Sequence, residues 1–108
     1  MRSETAVEAL GALAQGHRLA LFRLLVQHGG QGMPAGAIAD ALGIPGSSLS
    51  FHLAHLRRAG LIRQERRQRS LIYRADYAAM TALVGFLTEN CCGGGDCSPA
   101  AEDGAQAA

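Results

Sequence analysis

The hydrophobic repeat of this chain changes period once, at Gly60, and that change limits the fold more than any other feature. Before it, Leu49, Leu53 and Leu56 recur at i, i+4, i+7, the spacing of one buried helical face. After it, Leu61-Ile62-Arg63-Gln64-Glu65 and Ser70-Leu71-Ile72-Tyr73-Arg74 read as two short strands joined by Arg66-Arg67-Gln68-Arg69. Upstream, Ala6, Val7, Ala9, Leu10, Leu13 and Ala14 predict a first helix over residues 4 to 15. The run from Arg18 to Val26 is apolar on most sides, as in a buried central helix. Pro34 can start a third helix carrying Ile38 and Leu42, which Gly43 ends. Ser47 or Ser48 can cap the fourth. Asp76 can cap a last helix bearing Met80, Leu83, Val84 and Leu87. The expected order is ααααββα, mainly helical with one small hairpin.

A chain of 108 residues holds one domain and one modest core, without room for a large catalytic cleft. It offers no Gly-rich phosphate loop, no nucleophile-and-base arrangement and no Cys-x-x-Cys motif, so an enzyme is not expected. No run approaches the ~18 apolar residues of a membrane span, and the start, Met1-Arg2-Ser3-Glu4-Thr5-Ala6-Val7-Glu8, is too acidic for a secretory signal. The expected location is the cytoplasm, with no membrane partner. Three cysteines in a reducing compartment do not suggest a structural disulfide framework.

Net charge is only +1, but its distribution is uneven. All ten basic residues are Arg, and seven lie between Arg57 and Arg74 with Glu65 as the single acid among them. Such a split marks an anion-binding face. Two short helices joined by Leu42-Gly43-Ile44-Pro45-Gly46-Ser47 fit a helix-turn-helix. At about 100° per residue, the leucine stripe takes one side of the second helix. Ser47, Ser48, Ser50, Phe51, Ala54 and His55 take the rest. Small hydroxyls at a helix start suit close approach to phosphates and base edges. Arg63, Arg66, Arg67, Arg69 and Arg74 make the hairpin a basic wing beside them. Phe51 is unusual on that face: it can touch a thymine methyl, pack under the hairpin or pack elsewhere in a dimer. The end helices are apolar over too wide a face for a small monomer. Pairing them across a two-fold axis would set two recognition helices about 34 Å apart, one DNA turn.

The stretch from Ser47 to Ile62, SSLSFHLAHLRRAGLI, resembles the signature of the ArsR/SmtB repressors. Arg66, Arg69 and Tyr73 resemble their wing, and the run from His17 to Leu25 resembles their second helix. The resemblance covers roughly residues 5 to 90. It implies a winged helix-turn-helix fold and a homodimer held by the first and last helices. It also implies contacts to an inverted-repeat operator by Ser47, Ser48, Ser50 and His52, supported by wing arginines Arg66, Arg67 and Arg69. A hydrogen bond from His52 bracing the helix is the alternative to a phosphate contact. Gln68 stands where the family usually has Gly, and Glu65 where it usually has Arg.

Every cysteine lies in Cys91-Cys92-Gly93-Gly94-Gly95-Asp96-Cys97, expected at the end of the last helix. Three glycines let Cys97 fold back toward the pair. Soft thiolates select soft ions. Zinc usually takes four ligands, whereas trivalent arsenic or antimony takes three in a pyramid. A helix C-terminus and Asp96 favour the protonated thiols until an ion displaces the protons. The family's usual arsenic site is absent, since Ala37-Ile38-Ala39-Asp40-Ala41 stands there, and Asp76 alone does not make its last-helix zinc site. The cluster resembles a third placement, a Cys pair after the last helix with one Cys downstream. That resemblance points to Cys91, Cys92 and Cys97 as ligands of arsenite, or antimonite, acting as inducer, with no permanently bound cofactor. A thiol redox switch, a Cd, Pb or Zn response, or an inert tail remain alternatives. The expected organisation is a DNA-binding and dimerisation domain over 1–90, an inducer segment over 91–97 and a disordered tail over 98–108.

Overall fold

The computed structural model describes residues 1–95. Cys97 and the 98–108 tail lie outside the described residues. Helices α1 (Ser3–Leu13), α2 (Gly16–His28), α3 (Ala35–Leu42) and α4 (Gly46–Arg58) precede a hairpin of β2 (Ile62–Arg67) and β3 (Ser70–Ala75), and α5 (Tyr77–Leu87) follows. The mainly helical winged helix-turn-helix read from the sequence is the fold observed. A further strand, β1 (Met33–Pro34), was not expected. It pairs antiparallel with β3, so the sheet runs β1-β3-β2. Pro34 ends this edge strand and serves as the N-cap of α3, which begins one residue later than the sequence suggested.

The core gathers Leu21, Phe22 and Leu25 of α2, Ile38 of α3, and Leu49, Leu53 and Leu56 of α4 around Leu61, Ile62 and Tyr73 of the sheet. Ala6, Ala9 and Ala12 line the inner face of α1, small enough to let that helix lie close against α2 and α4. Polar links hold the helix ends. Gln15 Oε1 accepts the Arg18 amide at 2.9 Å, and Arg18 Nε donates to the Ala12 carbonyl at 2.7 Å. Tyr77 OH donates to the Val26 carbonyl at 3.1 Å, joining α5 to the end of α2.

Two glycines are fixed by geometry. Gly43 adopts the left-handed conformation that ends α3, and its N–H reaches the Ala39 carbonyl at 2.8 Å. Gly32 has φ +76° and passes so close to β3 that a Cβ there would lie 2.7 Å from both Ile72 Cγ2 and the Tyr73 carbonyl. At the hairpin tip Gln68 takes φ +56°, the left-handed backbone that a glycine adopts without penalty.

The first and last helices pack together. Val7 and Leu10 of α1 and Val84 and Leu87 of α5 remain exposed, each pair at i, i+3. No described helix is long and apolar enough to cross a membrane.

Candidate nucleic-acid interface and cysteine segment

The turn between α3 and α4 sets where α4 starts, and with it which side chains face outward. Pro45, at φ −64° and ψ 150°, is the N-cap, and the helix begins at Gly46. Ser47 and Ser48 are therefore not caps, contrary to the sequence reading. They sit inside the first turn, exposed, and among the described residues their hydroxyls make no hydrogen bond. Leu49, Leu53 and Leu56 point into the core. Opposite them, at helical spacing, Ser47, Phe51, Ala54 and Arg58 form the outward ridge, with Ser48 and Ser50 on its flanks. Phe51 is 63% exposed, so it does not pack under the hairpin.

His52 goes inward. It is 8% exposed, and its ring lies 5.6 Å from that of His17 on α2 and 5.9 Å from that of Phe51. Its Nδ1 has no hydrogen-bond partner among the described residues, so a bracing bond is not made through that atom. Burial, then the charge of Arg18, then His17 and His55 hold its pKa below the ordinary value. The imidazole is therefore biased toward neutral, placed between helices and not beside Ser47 and Ser50. His55 is lowered as well, by desolvation first and then by Arg18 and Arg58.

The hairpin register pairs Arg63 with Arg74, Glu65 with Ile72 and Arg67 with Ser70. Side chains alternate along β2, so Arg63, Glu65 and Arg67 share one face and Arg66 takes the other. Glu65 is shared between Arg67 at 3.3 Å and Arg74 at 3.9 Å. Arg63 Nε pairs with Asp76 Oδ2 at 3.0 Å. Arg66 and Arg69 are exposed and have no acidic partner among the described residues. Between α4 and β2 runs an open groove of about 520 Å³ lined by Ala54, Arg57, Arg58, Ile62, Arg63 and Gln64. Arg57 and Arg58 belong to the basic stretch of the sequence, but nothing in the sequence singles them out. Only the packing of β2 beside α4 reveals that they share a groove with Arg63.

Asp76 holds two elements at once. Oδ1 accepts the Ala79 amide at 2.9 Å, the N-cap expected from the sequence, while Oδ2 holds Arg63. The start of α5 is thereby tied to the base of the hairpin.

The cysteine pair is not at the end of α5. That helix stops at Leu87, and Asn90 turns the chain through a left-handed conformation at φ 56°. Cys91–Gly94 then form a 3-10 turn. A helix end acts on charge mainly within its last turn, so the expected dipole effect on these thiols loses its basis. The Cys91 and Cys92 sulfurs lie 3.7 Å apart on an exposed segment, and Cys92 is held in a disulfide in this structure. Cys97, the third expected ligand, is outside the described residues.

Comparison with known proteins agrees with this architecture. A helix-turn-helix domain family model matches residues 13–65, from the end of α1 into β2. The nodulation protein NolR of Rhizobium meliloti is 31% identical over 87 residues, covering 81% of this chain and 69% of that protein. Among solved structures, a homodimeric winged helix-turn-helix DNA-binding domain from Mycobacterium bovis, described as a possible ArsR-family regulator, has 31% identity and a TM-score of 0.64 over 81% of each chain. HlyU from Vibrio cholerae has 29% identity and a TM-score of 0.67, covering 83% of this chain and 95% of its own. The chain belongs to the ArsR family. It is thus a DNA-binding winged helix-turn-helix transcriptional regulator, and its relatives are regulators, not enzymes. In ArsR terms α3 and α4 are the helix-turn-helix, α4 is the recognition helix and β2–β3 is the wing.

Proposed function

We propose that this ArsR protein is a homodimeric repressor that trivalent arsenic, or antimony, releases from an inverted-repeat operator. The observation that carries the DNA half is the outward ridge of α4. Ser47, Ser48 and Ser50 are exposed there, beside a wing whose Arg66 and Arg69 lack acidic partners among the described residues. Ser47, Ser48 and Ser50 approach base edges and phosphates, while Arg66, Arg67 and Arg69 follow the backbone or minor groove. Arg57 and Arg58 add phosphate contacts from the groove. His52 contributes by seating α4 against α2, a role its burial favours over direct phosphate contact.

The dimer half rests on the exposed pairs Val7/Leu10 and Val84/Leu87 and on the homodimeric Mycobacterium bovis relative. Packing α1 and α5 across a two-fold axis buries these side chains and presents two copies of α4.

The inducer half rests on three soft donors close together in the chain: once the Cys92 disulfide is reduced, one pyramidal ion can bridge Cys91 and Cys92, whose sulfurs lie 3.7 Å apart, with Cys97 as third ligand. Three soft thiolates suit arsenite or antimonite. Binding draws the segment beyond α5 together. Asp76 connects the start of α5 to Arg63 of the wing, giving a physical route from the dimer helix to the DNA face. A coupling free energy of about 1–3 kcal/mol changes operator occupancy 5- to 150-fold.

The test is fluorescence anisotropy of labelled DNA from upstream of this protein's own gene, bound by reduced protein and titrated separately with arsenite, zinc and peroxide. Release by arsenite alone, at about one per chain, is expected. Release by peroxide alone would make the cysteines a redox switch, release by zinc alone would make the site a divalent-metal sensor, and absence of DNA binding would remove the repressor reading.

A further inference from the structure

The recognition helix lacks the side chains that most often read bases. From Gly46 to His55 it contains no Arg, Lys, Asn or Gln, so it offers neither a bidentate partner for guanine nor one for adenine. The arginines begin only at Arg57, near the C-terminal end of α4. Its first two turns present three serine hydroxyls, which accept or donate to several bases with little discrimination, and one phenyl ring.

That ring is in the most forward position available. Phe51 lies opposite the buried Leu49, Leu53 and Leu56, in line with Ser47 one turn before it and Arg58 two turns after it. It is 63% exposed, and among the described residues its one aromatic neighbour is His52, edge-on at 5.9 Å. His52 is itself buried against α2, so the base of the Phe51 ring is supported from below while its outer face stays open. The exposed apolar pairs proposed for the dimer, Val7/Leu10 and Val84/Leu87, lie on α1 and α5, whereas Phe51 lies on α4. A lone exposed phenylalanine needs no explanation in general. One at the centre of a ridge flanked by hydroxyls and followed by a basic groove is placed where the major-groove floor must come.

We propose that Phe51 is the principal sequence-discriminating side chain of this protein, reading the C5-methyl group of a thymine in each operator half-site. In the major groove only thymine among the four unmodified bases presents a methyl group, so an apolar ring at this point selects T over C. The exposed ring loses water when it meets the methyl, whereas against a cytosine edge it would cover the N4 amino donor without pairing it. The hydroxyls of Ser47, Ser48 and Ser50 then set register and orientation, and Phe51 supplies the discrimination they lack.

The inference rests on the DNA-binding reading, and the test separates the two. Duplexes are selected from a random library with the full-length reduced protein. Each thymine of the enriched site is then replaced by deoxyuridine, first singly and then at both symmetric positions together, which removes only the methyl. Binding is measured by anisotropy for the wild-type protein, Phe51→Ala and Phe51→Leu. At about 0.8 kcal/mol for a buried methyl-sized group, one symmetric thymine position weakens wild-type binding about fourfold per half-site and about 16-fold when both are replaced. Phe51→Ala binds more weakly but is indifferent to the same replacement, and Phe51→Leu retains part of the preference. Phe51→Ala melts as the wild type does, because the ring is exposed. The inference is overturned if every single deoxyuridine is tolerated, if the penalty persists undiminished in Phe51→Ala, or if Phe51→Ala changes the oligomeric state in sedimentation. Failure of the library to enrich any sequence removes the DNA reading and this inference together, whereas enrichment without methyl dependence removes this inference alone.

Discussion

Replacing Asp76 by alanine removes two contacts of unequal weight, and the structure allows them to be separated. Oδ1 caps α5 through the Ala79 amide at 2.9 Å, and Oδ2 pairs with Arg63 at 3.0 Å. Loss of an Asp cap costs about 1 kcal/mol. The ion pair is worth less, because the Arg63 side chain is 63% exposed and solvent screens it, which leaves about 0.3 kcal/mol. Asp76→Ala is therefore expected to lose about 1.3 kcal/mol, a fall in Tm of roughly 5–10 °C for a domain of this size. Asp76→Asn keeps the capping acceptor and loses only the charge, so it is expected to fall by about 0.3 kcal/mol. Thermal and urea unfolding of the reduced protein would be compared at one fixed protomer concentration, since dimerisation makes Tm concentration-dependent. Equal losses in the two variants would refute the ranking of cap over ion pair. No loss in Asp76→Ala would refute the view that this residue ties α5 to the hairpin.

Other expectations follow from single positions. Gly32→Ala combines positive φ with two 2.7 Å approaches, so it should cost at least about 2 kcal/mol in urea unfolding and perturb the β1–β3 pairing. His52 binds a proton less readily folded than unfolded. Its contribution to stability is thus complete above the ordinary value of 6.5 and falls as the pH drops below it. His52→Leu should flatten that part of the stability–pH curve relative to wild type, and an unchanged slope would contradict the assignment. Glu65→Gln releases Arg67 and Arg74 from their shared acid. DNA binding should tighten severalfold at low salt, with the slope of log K against log salt steeper by about 0.9 for each further phosphate neutralised. An unchanged slope in a salt titration would contradict the view that Glu65 holds these arginines back from the backbone.

Much of this architecture was legible because helices and strands announce themselves by period. The leucine stripe of α4, the break at Gly43 and the alternation after Gly60 mark the helix-turn-helix and the hairpin, and Asp76 was readable as a cap. Strand β1 was not, because two residues carry no period and its pairing depends on Gly32 approaching β3. The start of α4 is hidden in the sequence because Ser47 and Ser48 have capping chemistry, whereas Pro45 already holds the extended conformation the N-cap needs. His52 lay at the border of the leucine stripe, and only the position of α2 decides that it faces His17. Nothing in residues 88–90 forbids helix, so the sequence points to the cysteine pair at the end of α5, yet Asn90 turns the chain away. The groove of Arg57, Arg58 and Arg63 is tertiary and has no linear signature.

The most direct test of the inducer site is X-ray absorption at the arsenic edge on reduced full-length dimer carrying one equivalent of arsenite per chain. Three sulfur ligands per arsenic are expected, falling to two in Cys97→Ser, as they would if Cys97 joins the Cys91–Cys92 pair. A wild-type shell of two sulfurs with oxygen, or a three-sulfur shell unchanged in Cys97→Ser, would contradict the three-cysteine site.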